Sequence, residues 1–146
     1  MGLASRRGMR RTDLTLVDRI LIGLELAIGT FAVVGGAILM GDPTGRAIGF
    51  SPEMVVHTPF RDFFVPGLIL VLAVGGFAFT VASGALLGRS WARLGHLAYG
   101  AVLFGWMVVL VFFLGWGSFL QPTFLMLGAL IAVLASAQLR GGLNLG

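Results

Sequence analysis

The chain has 146 residues, of which 58% are hydrophobic and 11% charged, and its mean hydropathy is +1.00. A soluble domain carries ~25% charged residues, so the polar surface here is too small to coat a water-soluble globule. Cysteine is absent, all ten basic residues are arginine, and six acids leave a formal net charge of +4; disulfides, thiolate catalysis and Cys metal sites are thereby excluded.

Residues 1–19 form an arginine-rich tail holding Arg6, Arg7, Arg10, Arg11 and Arg19. The apolar run that follows, 20–40, is too long for the core of a cleaved signal peptide, and no small-x-small site precedes a soluble domain, so it is expected to remain as a first transmembrane span. It contains one ionisable residue, Glu25. A central charge costs ~2.5–3.5 kcal/mol on the insertion scale, and eleven Leu, Ile, Phe and Val residues return ~3–7 kcal/mol, so the span still inserts.

Residues 41–62 form the first loop. Gly41-Asp42-Pro43-Thr44-Gly45 reads as a helix stop and a turn. Ser51-Pro52-Glu53 reads as a helix start, and Thr58-Pro59 repeats the signal. One or two short helices lying on the membrane surface are expected here, with Phe60, Phe63 and Phe64 dipping into the interface. A second span is expected at 63–87, a short loop at 88–93, a third span at 94–116, a turn at 117–121, a fourth span at 122–139 and a tail at 140–146.

At ~1.5 Å per residue each span reaches most of the way across a ~30 Å hydrocarbon core. Lipid offers the backbone no hydrogen-bond partner, so each is expected to be helical. The expected fold is all-α: a polytopic membrane four-helix bundle, up-down-up-down, with short interfacial helices in the first outer loop. Eight arginines lie on the side of the termini and the 88–93 loop, and two, Arg46 and Arg61, on the other. The positive-inside bias then places both termini in the cytoplasm and implies a multi-pass protein of an inner (plasma) membrane.

Small residues recur at helical spacing on three spans: Gly29, Ala32 and Gly36; Thr80, Gly84 and Gly88; Gly128, Ala132 and Ser136. Such stripes let helices approach closely in lipid, and they are expected to serve mainly packing within the chain.

The strings Gly41-Asp42-Pro43-x-Gly45, Gly49-Phe50-Ser51, Thr58-Pro59-Phe60-x-Asp62-Phe63 and Pro66-Gly67, with Leu120-Gln121-Pro122 further on, resemble a family of small four-span bacterial integral membrane proteins. The resemblance runs from about Gly41 through the fourth span and implies the bundle fold. It carries over no catalytic residue.

Glu25 shares its helix face with Asp18, Gly29, Ala32 and Gly36, so it is expected to point into the bundle. Thr80, Ser83, Tyr99 and Ser136 lie at comparable depth and would complete an intramembrane polar layer. An intramembrane acid is by default a proton or cation site; the plainer reading is a clasp in which Glu25 hydrogen-bonds Tyr99 or Ser83. In the outer loop, Glu53, His57, Arg61 and Asp62 are the only group that could converge, and two or three such ligands make a weak metal site. Arg89, Arg93 and His96 are expected at the headgroups, in contact with anionic lipid. Trp91 and Trp116 are expected as interfacial anchors. No cofactor, metal or nucleic-acid partner is expected; the expected partners are the bilayer, anionic headgroups and other membrane subunits or a second copy.

Three functions follow as expectations. The first is a non-enzymatic scaffold or accessory subunit. The second is a small oligomeric transporter or channel using Glu25. The third is a membrane enzyme acting on lipid or quinone at the outer loop.

Overall fold

A computed structural model describes residues 14–116 and 120–143. The tail arginines Arg6, Arg7, Arg10 and Arg11, positions 117–119 of the second turn and the last three residues lie outside the described residues. Four helices are long and apolar enough to cross a membrane: α1 (Leu16–Gly41), α2 (Phe64–Leu86), α3 (Ala92–Leu114) and α4 (Leu120–Leu143). No strand occurs among the described residues. The chain is an all-α four-helix bundle.

Two helices begin earlier than the apolar runs suggest. At the start of α1, the Thr15 backbone N–H and hydroxyl both donate to Asp18 Oδ2 (2.8 and 2.7 Å), and Thr15 Oγ1 accepts from Asp18 N. This capping box satisfies orphan amides of the first turn, so the helix starts at Leu16, four residues before Ile20. Similarly, α3 starts at Ala92, ahead of Arg93 and His96. Polar residues are tolerated at a span's end where they reach the interface or a buried partner.

The middle of α2, Leu70–Gly76, is wound as a π-helix. This wide segment is the part of α2 that packs most closely on α1, and glycines make that contact possible. A Cβ at Gly36 would lie 2.6 Å from Gly67 O, and one at Gly75 would lie 2.6 Å from the Val33 side chain. The α3–α4 pair interlocks in the same way: a Cβ at Gly100 would lie 2.6 Å from Ala132 N, and one at Gly128 2.8 Å from Phe104 N. The bundle is therefore two tight antiparallel hairpins, α1–α2 and α3–α4, joined by contact of α2 with α3. Leu21, Ile28, Val74, Ala78, Val81, Leu103 and Ile131 fill the space between them.

The 42–63 loop is more compact and less helical than its sequence signals suggest. It holds two single 3₁₀ turns, Arg46–Ile48 and Pro52–Val55. No helix starts at Thr58, whose hydroxyl donates to Val55 O (2.8 Å) and accepts from Phe60 N (3.2 Å), closing a side-chain turn instead. Phe63, expected in the interface, is buried against Leu39, Val55 and Phe50; Phe64 is the exposed ring. Gly45 makes this fold-back possible. Its φ is +76°, and a Cβ there would meet the Phe63 ring at 2.8 Å.

Candidate functional site

Glu25, in the third turn of α1, is completely buried. Its Oε1 lies 2.6 Å from Nδ1 of His96, itself only 1% exposed, in the second turn of α3. Sequence reading places His96 at the headgroups; the structure places it inside the bundle. The correction follows from where α3 begins. With the helix starting at Ala92, His96 is a full turn inside, and its ring faces the core alongside Tyr99, three residues on.

The contact matters because α1 and α3 face each other diagonally and make almost no backbone approach. A second polar tie supports it. Gln138 Nε2 of α4 donates to Asp18 Oδ1 of α1. Helix α1 is thus held to the second hairpin by two side-chain bridges, whereas within each hairpin glycine packing suffices.

Tyr99 is fully buried, with its ring edge-on to Phe77 at 5.8 Å. Its hydroxyl, like Oε2 of Glu25, has no hydrogen-bond partner among the described residues. Tyr99 and Ser83, the two partners expected for Glu25, therefore do not hold it; the imidazole does.

The rest of the expected polar layer does not assemble. Thr80 is exposed and its hydroxyl donates to Gly76 O (2.8 Å); Ser136 donates to Val133 O (2.8 Å); Ser83 is exposed. Each small hydroxyl is satisfied by its own helix or turned outward, so depth along the bundle was a poor guide to contact. In the first loop, Glu53, His57, Arg61 and Asp62 are all exposed. Asp62 accepts from Phe64 N (2.9 Å), making a local turn, and the described residues contain no group of three or more His, Cys, Asp or Glu placed to hold a metal. Without a helix running through 53–62, these side chains do not share a face.

Arg89 and Arg93 are exposed and border a cavity of about 370 Å³ at the arginine-rich end of the bundle. Asp18, Ser90, Ala92 and His96 also line it. His96 thus touches two environments: one ring nitrogen is engaged by buried Glu25, and the ring also borders the cavity. On the far side of the pair, Ile28, Ala78 and Leu103 belong to the apolar core.

On the outer flank of α2 lies a second, more open groove of about 410 Å³, lined by Phe79, Ser83, Gly84, Leu87, Arg89 and Trp91. The Trp91 ring lies over Gly84, where a Cβ would run into it. The turn between α2 and α3 that places both arginines depends on Gly88 at φ +66° and on Arg89 N donating to Gly84 O (2.9 Å).

Two residues that matter most here were not singled out for these roles by sequence: His96 as the partner of Glu25, and Gln138. The available signal was chemical. A buried acid needs a donor, and His96 and Gln138 are among the side chains on α3 and α4 able to supply one at that end, with Arg93, Tyr99 and Arg140. The chain matches no protein-family model, no curated protein and no solved structure.

Proposed function

We propose that the chain is a non-enzymatic scaffold or accessory subunit of a bacterial inner membrane, with both termini cytoplasmic, and that Glu25 and His96 act as its clasp. The observation that carries this reading is the 2.6 Å contact between them. It joins two helices that otherwise barely touch, and it is backed on one side by apolar core. The contact gives each buried polar side chain a partner on the other helix, and losing either one leaves its mate unsatisfied in apolar surroundings, which is costly. A pair of this kind holds register well.

A second reading, a small proton-coupled transporter, draws support from one feature: His96 borders the cavity as well as touching Glu25. It also requires a polar route beyond Ile28 and Leu103. Reconstitution into liposomes with an entrapped pH dye separates the two. The clasp reading expects wild-type protein to add no proton flux over empty liposomes. Flux that Glu25→Gln abolishes while the protein remains assembled overturns it.

A further inference from the structure

We propose that the arginine-rich end of the bundle is a binding site for one anionic phospholipid. Its phosphate sits on Arg89 and Arg93 in the cavity, and one acyl chain lies in the groove along α2.

The cavity has the charge for a phosphate. Arg89 and Arg93 border it and make no ion pair with any described residue. Asp18 also borders it, but its two oxygens are occupied by Thr15 and by Gln138, and His96 is engaged by Glu25. Among the described residues, counting Asp18 against one guanidinium leaves the other uncompensated. The Ser90 hydroxyl stands between the two arginines in sequence and on the same cavity wall. Arginine suits this task because its fork can donate two parallel bonds to phosphate oxygens.

The groove identifies the source of that phosphate as a lipid. Arg89 lines both spaces, so cavity and groove meet at its side chain. From Leu87 to Phe79 the groove follows eight residues of α2, about 12 Å along the helix, close to the ~15 Å depth of one leaflet. Its lining combines the small, exposed Ser83 with the larger Phe79, Leu87 and Trp91, the Trp91 ring resting on Gly84. The headgroup must be net negative: a zwitterionic one would bring its own cation to a site already rich in guanidinium.

Native mass spectrometry of the detergent-purified full chain tests the proposal, with dioleoyl phosphatidylglycerol, dioleoyl phosphatidylethanolamine and inorganic phosphate as probes. Wild type is expected to keep one phosphatidylglycerol in preference to phosphatidylethanolamine, with a preference that weakens as salt rises. R89Q/R93Q is expected to lower that affinity by roughly tenfold or more, while R46Q/R61Q at the opposite end leaves it unchanged. S83W, which fills the groove from an exposed position, is expected to weaken dioleoyl but not dihexanoyl phosphatidylglycerol. Equal retention of the two dioleoyl lipids by wild type overturns the proposal without recourse to any variant, as does an equal loss in R46Q/R61Q. Displacement of the lipid by millimolar phosphate, with S83W silent, overturns the lipid assignment in favour of a free phosphate site. None of these readouts depends on proton flux, so the site stands or falls apart from the clasp.

Discussion

Glu25 and His96 show what a single buried contact asks of its residues. Removing one partner leaves the other uncompensated and costs about 3–5 kcal/mol, whereas replacing both with apolar groups of similar volume is close to neutral. Thermal unfolding in detergent is therefore expected to show a large loss for Glu25→Leu and for His96→Leu, and a double variant more stable than their sum. Glu25→Gln is expected to fall near wild type, because its amide oxygen can still accept from the imidazole. Additive losses across the cycle would remove the clasp. Asp42 provides a second test, outside the spans. Hydrogen bonds from Thr44 and from the Ala47 backbone N–H (2.9 Å) hold its carboxyl below the ordinary value of 3.8. A depressed carboxylate stabilises the fold above its unfolded value, and that contribution disappears as pH falls through the folded one. The Thr44 and Ala47 amide resonances are expected to hold steady from pH 7 to 5 and to move together only in the acid range below 3.8. Asp42→Asn should abolish that transition.

Between helices, lipid provides no hydrophobic force, and close backbone approach takes its place. This makes the α3–α4 contact at Gly100 and Gly128 as unforgiving as that of Gly36 with Gly67, since the atoms that a Cβ would meet are backbone. Gly100→Val is expected to cost at least the ~1–3 kcal/mol of ordinary overpacking, read as a lower unfolding midpoint. Gly105→Val, where a Cβ meets nothing within 4 Å, should have little effect. An equal response would show that the close approach is unimportant. Much of this level was legible in advance: Gly29, Gly36 and Gly128 read as contact positions, and they are. On α2, Gly84 is a contact position as well, but it receives the Trp91 ring from the following turn and not a neighbouring helix. The π-helical turn at Leu70–Gly76 left no signal in hydropathy, which depends on composition rather than winding.

For the molecule as a whole, the arginine asymmetry predicts direction. Single cysteines at position 57 and at position 91 should label from opposite sides of sealed cells, 57 from outside and 91 from inside. Labelling of 91 from outside, with 57 protected, would invert the arrangement. Labelling of 91 from inside would put the Arg89–Arg93 cavity in the cytoplasmic leaflet, where anionic lipid is concentrated.

That the chain forms four long apolar helices was determined by sequence alone. A bilayer forces every buried backbone group to pair within its own helix, so length and apolarity are sufficient evidence. Which polar side chains meet was decided only in three dimensions. Helix ends at Leu16 and Ala92, set by a capping box and by the Gly88 turn, slide His96 inward to Glu25. One residue of slippage turns a side chain by about 100°, enough to exchange a headgroup contact for a buried bond, and no hydropathy profile resolves a shift that small.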